Sequence, residues 1–248
     1  MAGVPKLKSS VIYYVDIFFI KRNYSARIRQ IMIKKILIIG VLIFLCGLGA
    51  VYFSLPKDLN KPLYKLLSKY SYNGSSIERI QLKKTDIAIR QKNTLKIKVK
   101  TGKVVTLKDD LTEGWSTYRK FSLIYWFKDI HYVLICCDFY EGGEWLLISD
   151  QTGQITSINS PPLFSPDTKR FIVSNFDEAG FSESGISIYR INSKALVKEW
   201  ANANNAEDAK WVSNTKIQYM RTTYEPHKRR LAILEQRDGK WVEISNSK

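Results

Sequence analysis

Hydrophobic and polar positions follow three rhythms along this chain. From Ile36 to Leu55, twenty consecutive residues carry no charge; as a helix rising about 1.5 Å per residue they would span roughly 30 Å, the depth of a bilayer's hydrocarbon core. A buried helix of that length in a soluble protein normally shows a polar face, and this segment offers only Ser54. Next, Leu63, Leu66, Leu67 and Tyr70 recur at helical spacing behind Pro62, a residue suited to a first helical turn. The spacing predicts a short amphipathic helix, followed by a turn over Tyr72 to Ser76. Beyond Ile77 the period falls to two. Leu95, Ile97 and Val99 alternate with Lys96, Lys98 and Lys100, and Ile186, Ile188, Leu231 and Ile233 sit in similar runs. Strands are expected throughout this part.

Turn signals join those strands at Lys100 to Lys103, Asp150 to Gln154, Ile191 to Lys194 and Arg237 to Lys240. With Thr101, Thr152, Ser193 and Asp238 as markers, the separations are 51, 41 and 45 residues. A recurrence of that length, with several strands per unit, is the footprint of propeller blades. The expected fold class is all-β, a propeller-like array of about four four-stranded repeats preceded by one N-terminal transmembrane helix. The units run from Ile77 to Lys108, Trp115 to Asn159, Pro161 to Asn202 and Asp208 to Ser245. The third has its strands at residues 162–165, 170–176, 185–191 and 196–200. Trp145, Trp200 and Trp241 fall on predicted strands, where large rings fill the space between sheets. The chain thus divides into a basic cytoplasmic arm or mis-assigned start (1–31), a transmembrane signal anchor or signal peptide (32–55), a linker with a short helix (56–76) and an exported β domain (77–248).

Residues Phe164 to Val173 read Phe-Ser-Pro-Asp-Thr-Lys-Arg-Phe-Ile-Val. The segment resembles the Ser-Pro-Asp-Gly repeat of bacterial β-propellers of the WD-repeat type and of the Tol–Pal system, with Thr168 where those repeats carry Gly. The stretch from Tyr140 through Phe181 to Arg190 also resembles a group of uncharacterised bacterial exported proteins. The resemblance implies a fold and a location and brings no chemistry with it.

Charge sharpens the topology. The formal net charge is +16, and residues 1–35 hold eight Lys or Arg against Asp16 alone. The positive-inside rule places this arm in the cytoplasm and everything after Leu55 on the far side. An uncleaved anchor in a bacterial inner membrane, with the C-terminal domain in the periplasm or outside, fits the apolar run continuing to Leu55. Cleavage near Cys46 to Ala50, giving a secreted periplasmic protein, is the alternative. The bilayer is therefore an expected partner through residues 36–55. Nucleic acid is not, because nearly half of the excess charge lies in the arm.

Catalytic signatures are weak. His131 and His227 are 96 residues apart and form no ligand pair. Gly180 to Gly185 has one residue too many for a nucleophile elbow. Cys136 and Cys137, adjacent on a strand, point to opposite faces and read as packing residues. No metal site, cofactor or catalytic residue is expected. Two constellations remain. Lys96, Lys98 and Lys100 share one face by alternation and read either as contacts to a polyanion or anionic lipid, or as lysines protecting an edge strand. The loop from Phe176 to Gly185 is longer than the other connections, and Asp177, Glu178, Phe181 and Glu183 combine acids with an aromatic, a composition suited to binding a partner. The expected function is a membrane-anchored binding or scaffolding module of the cell envelope, with a protein or glycan as partner. An exported hydrolase whose carboxylates assemble from separate repeats is the alternative.

Overall fold

The computed structural model describes residues 58–112, 117–180, 183–192, 195–223 and 228–244, and Pro56–Lys248 form one compact unit. The basic arm and the uncharged run at 36–55 lie outside the described residues. Among the described residues, no helix is long and apolar enough to cross a membrane.

Two short helices open the unit. The first, α1 (Asn60–Lys69), buries Leu63 and Leu67 on the face the spacing predicts. The second, α2 (Gly74–Gln81), occupies the expected turn and the start of the first repeat. Its cause is local: Asn73 Oδ1 accepts the Ser76 N–H at 2.9 Å and caps the helix, while the turn itself contracts to Ser71 and Tyr72, at φ of 46° and 60°.

All described strands then fall into four antiparallel meanders. Sheet 1 holds β1 (Ala88–Gln91), β2 (Thr94–Lys98) and β3 (Val104–Lys108). Sheet 2 holds β4 (Arg119–Phe127), β5 (Tyr132–Phe139), β6 (Gly143–Ser149) and β7 (Ile155–Ile158). Sheet 3 holds β8 (Leu163–Phe164), β9 (Arg170–Asn175), β10 (Gly185–Arg190) and β11 (Val197–Asn202). Sheet 4 holds β12 (Ala206–Ser213), β13 (Lys216–Thr223), β14 (Lys228–Arg237) and β15 (Lys240–Ile244). The fold is thus mostly β, with one correction to the expected array.

Sheet 1 has three strands, not four. The recurring turn joins β6 to β7, β10 to β11 and β14 to β15, the last two strands of sheets 2 to 4, and in sheet 1 it joins β2 to β3. Aligned on that turn, sheet 1 lacks its first strand, and α2 stands in its place along the chain.

The four sheets do not close into a ring, a point the strand pattern leaves open. One apolar cluster joins sheet 1 (Leu95, Ile97, Leu107) to sheet 2 (Leu123, Val133, Ile135). Another joins sheet 2 (Leu134, Leu147) to sheet 3 (Phe171, Tyr189) together with α1. The third joins sheet 3 (Ile172, Ile188) to sheet 4 (Ile217, Leu234, Trp241). Among the described residues no cluster joins sheet 4 back to sheet 1. Closure by the same chain would have to bury the outward lysines of sheet 1, Lys96, Lys98 and Lys108, which alternate with the buried residues of β2 and β3.

Both helices cover strand edges. The Asn60 amide pairs with β8 as a neighbouring strand would, donating to the Phe164 carbonyl at 2.9 Å and accepting its N–H at 2.7 Å. On β4, the Leu123 N–H donates to Glu78 at 2.9 Å and the Phe121 N–H to Asp109 at 3.0 Å. Arg90 of β1 holds both carboxylates, at 2.7 Å from Glu78 and 2.9 Å from Asp109, and also donates to the Phe121 carbonyl. One guanidinium therefore links α2, sheet 1 and the edge of sheet 2.

Candidate functional site

Packing two twisted sheets face to face leaves a cleft where their strand ends diverge. Between sheets 2 and 3 such a cleft of about 410 Å³ is lined by Phe139, Glu144, Ser157, Asn159, Glu183, Ser187, Tyr189 and Lys198, with Gly143, Ile158 and Val173. Its volume lies within the range of about 300–1,000 Å³ typical of small-ligand pockets. Glu144 comes from β6 and Glu183 from the loop before β10, so acidic residues of two repeats line one cleft.

Donors and acceptors both line the cleft. Ser157 donates its hydroxyl to Glu144 Oε2 at 2.8 Å. Asn159 donates its amide to the carbonyls of Glu183 and Gly185, each at 3.3 Å. Those two carbonyls fix the orientation of the amide and leave Asn159 Oδ1 buried without a partner. Lys198 Nζ lies 5.4 Å from the centroid of the Tyr189 ring, whose stacking partner is Phe171 at 4.9 Å. The loop end is pinned by Gly185, at φ of 129°, where an added Cβ would lie 2.5 Å from the Asn202 carbonyl oxygen. Only glycine fits that approach.

The predicted loop residues separate in space. Glu183 lines the cleft, and its carbonyl also accepts from Asn175 at 3.2 Å. Asp177 turns its carboxylate onto its own loop, where Oδ1 accepts the N–H groups of Ala179 at 2.9 Å and Gly180 at 3.1 Å. That is a turn-forming role. Glu178 is exposed, and Phe181 lies outside the described residues. The lysines divide too: Lys96 and Lys98 stay on the outer face of sheet 1, with Lys96 Nζ 2.8 Å from Gln91 Oε1. Lys100 follows the end of β2 and places Nζ 3.1 Å from His131 Nδ1.

His131 is not a strand residue. It sits immediately before β5 at φ of 65°, with Nδ1 3.2 Å from Asp150 Oδ1. Asp150 is buried, and its Oδ2 accepts the Trp126 indole N–H at 2.9 Å. With the Lys100 N–H donating to the Asp150 carbonyl at 2.7 Å, this cluster knits the turns of sheets 1 and 2. No serine, threonine or cysteine lines the small pocket beside it.

Cys136 and Cys137 are both buried, and they face opposite clusters. Burial pushes both thiols up, Cys137 to about 12, and the neighbouring Asp138 adds to the effect at Cys136. Burial thus disfavours the thiolate at both positions, as suits packing residues. Among the described residues, no group of three or more His, Cys, Asp or Glu is placed to hold a metal ion.

Sequence reasoning missed Glu144, Ser157, Asn159, Tyr189 and Lys198. Period two puts Glu144 on the opposite face from Trp145, but which sheet that face meets is a tertiary fact. No protein-family model matches the chain, and no curated protein matches it in sequence.

Proposed function

We propose that this chain is a membrane-anchored, exported β-repeat module that binds a hydroxyl-rich ligand, a glycan, in the cleft between sheets 2 and 3. The uncharged run at 36–55 behind a basic arm supports the anchor and its orientation. The polar lining carries the ligand assignment: Glu144 and Glu183 line the cleft as acceptors beside the hydroxyls of Ser157 and Ser187, and sugar hydroxyls both donate and accept. Lys198 supplies a donor in return.

Titration calorimetry on the full chain in detergent, with tetrasaccharides of glucose and of N-acetylglucosamine, tests the reading. Binding to one of them should disappear in Glu144→Gln with Glu183→Gln, with the melting temperature unchanged. Absence of binding to either sugar, or binding that survives the double substitution, overturns it. The hydrolase reading rests on a related observation, that acidic residues of two repeats line one cleft. Release of reducing ends from the bound tetrasaccharide, lost in either single Glu→Gln variant, would establish it. A reporter fused after Lys248 that is active only when exported checks the orientation, and activity of a cytoplasmic reporter there refutes it.

A further inference from the structure

Hydrogen bonds tie turns of all four sheets together at one end of the strands. The Lys100 N–H donates to the Asp150 carbonyl at 2.7 Å, the Tyr132 hydroxyl to the Asn192 carbonyl at 2.9 Å, and the Asp167 N–H to Asn214 Oδ1 at 3.0 Å. Connections in a meander alternate between the two strand ends. The turns after β2, β4, β6, β8, β10, β12 and β14 therefore form a near rim, and the other connections a far rim. Across the eight residues of β5 the two are about 25 Å apart. Phe139, Gly143, Asn159 and Glu183 line the cleft at the far rim.

The chain enters this unit at the near rim. Asn60 is bonded through both ends of its amide to Phe164, the last residue before the β8–β9 turn. Five Cα steps separate Asn60 from Leu55, where the uncharged run ends, a reach of at most about 18 Å in any conformation. With the far rim on a bilayer that holds this run, Asn60 would stand about 25 Å above the surface, beyond that reach.

The near rim is also the basic one. Where it meets α2 and sheet 1, Lys83, Lys84, Lys98, Lys100, Lys103 and Lys128 are exposed, and Asp86 and Asp129 are the exposed acids among them. Asp150 is buried and accepts from the Trp126 indole. Elsewhere on this rim the charges offset one another: Asp58 with Lys61, Asp167 with Lys169, and Asp238 with the flanking Arg237 and Lys240. The lysines gather about half-buried Trp126. Lys128 Nζ lies 5.6 Å from its ring, Lys84 shares one hollow with it, and Lys98 and Lys100 share another. An indole among lysines suits the head-group layer of an anionic bilayer, where the ring takes the interface and the ammonium groups meet phosphate. The far connections carry the opposite sign. Apart from Asp109, which Arg90 holds, they bear Asp110, Glu141, Asp177, Glu178 and Glu183 against Lys92, among the described residues.

We infer that the near rim, around Trp126 and its lysines, lies against anionic phospholipid head groups of the membrane that holds the chain, so that the cleft opens away from the bilayer. The inference rests on the anchor proposed above. Tether length excludes the inverted orientation, and charge selects the basic rim over the acidic one.

The test uses the full chain in nanodiscs of phosphatidylglycerol and phosphatidylcholine, one copy per disc, with a trace of nickel-chelating lipid. Cys136 and Cys137 are buried, so in a chain carrying Cys46→Ser a nitroxide can be placed at Thr101→Cys, in the β2–β3 turn, or at Tyr140→Cys, in the β5–β6 turn. Nickel at the head groups should relax the first strongly and the second not at all. Relaxation at Thr101→Cys should fall in discs of phosphatidylcholine alone, and equally when Lys83, Lys84, Lys98 and Lys103 are all replaced by Gln. The change of lipid does not depend on that variant folding. Equal relaxation at the two labels, or relaxation at Thr101→Cys that is the same in neutral discs, overturns the inference, while resistance of the chain to carbonate extraction from liposomes leaves the anchor standing. Extraction by carbonate refutes the anchor, and the orientation with it. Relaxation at Thr101→Cys that appears only with two copies per disc assigns the rim to a second chain and likewise overturns the inference.

Discussion

In β5, six consecutive residues from Tyr132 to Cys137 are buried, whereas in β2 burial alternates, with Leu95 and Ile97 inside and Lys96 and Lys98 outside. The contrast holds for whole sheets. Sheets 2 and 3 contribute residues to two apolar clusters each, and sheets 1 and 4 to one each. A strand packed on both faces reads as a continuous apolar run, and one packed on a single face reads as an alternation. Cys136 and Cys137 show the first case in two residues, since one faces sheet 3 and the other sheet 1. In a closed ring every sheet would be of the first kind. The alternation of the end sheets is therefore the sequence counterpart of an open stack.

The largest expected effect lies where an end sheet is fastened to a middle one. Arg90 holds Glu78 and Asp109, with side-chain exposures of 18%, 12% and 6%. Removing one partner of a buried ionic cluster leaves the others unpaired, at about 3–5 kcal/mol. Arg90→Ala should lower stability by that amount in urea unfolding. A loss below about 1 kcal/mol would mean that the first sheet is held by its apolar contacts alone.

Truncations on the two kinds of face sharpen the comparison. Leu134 is fully buried between sheets 2 and 3, and Leu134→Ala should cost about 2–5 kcal/mol. Ile233 points outward from sheet 4, and Ile233→Ala, measured at low protein concentration, should cost less than about 1 kcal/mol. Equal costs would show that the outer face of sheet 4 is already covered within the monomer.

These elements also mark what could be read in advance. Turn chemistry and period two place the strands of sheet 3, expected at 162–165, 170–176, 185–191 and 196–200 and found at Leu163–Phe164, Arg170–Asn175, Gly185–Arg190 and Val197–Asn202. Local pattern carries that far because each meander pairs only neighbours in sequence. It fails at α2, where Asn73-Gly74 has the composition of a turn and acts as a helix cap. It fails again at the cleft, since Glu144 and Glu183 come to line one cleft only through the packing of two sheets. Asp177 misleads for a third reason: an acid in a loop serves its own turn as readily as a ligand.

The junction of sheets 3 and 4 should be the acid-sensitive one. Burial alone would raise the Glu199 carboxyl, but its hydrogen bonds to Arg170 and Trp241, with the charges of Arg170 and Arg190, outweigh burial and hold it below the usual carboxylate range. The bond to Trp241 Nε1, at 3.0 Å, crosses from β11 to β15. A depressed carboxyl stabilises the fold fully above its unfolded value of about 4.3, and the contribution fades as pH falls through the folded value. Glu199→Gln should therefore lose about 1–3 kcal/mol at pH 7. That deficit should narrow below about pH 4, as the wild-type carboxylate is protonated. A deficit independent of pH would assign Glu199 to packing.

The smallest effect concerns a single dihedral in the turn that leads into β9. Ser165 Oγ donates to Asp167 Oδ1 at 2.7 Å and accepts the Arg170 N–H at 3.0 Å, while the Thr168 N–H reaches the Ser165 carbonyl at 2.9 Å. This network forces Thr168 to φ of 57°, a left-handed conformation that its branched Cβ resists. A non-glycine residue there carries roughly 1–2 kcal/mol of strain. Glycine would relieve it but give back about 0.5–1 kcal/mol through the greater freedom of the unfolded chain. Thr168→Gly should accordingly stabilise the protein by about 0.5–1 kcal/mol, read as a rise in urea midpoint at unchanged slope. Thr168→Ala separates the two terms, because it keeps the Cβ and most of the strain and should gain less than glycine. If alanine gains as much as glycine, the penalty belongs to the threonine side chain and not to the backbone. If glycine destabilises, the hydrogen bonds from Ser165 hold this turn without strain.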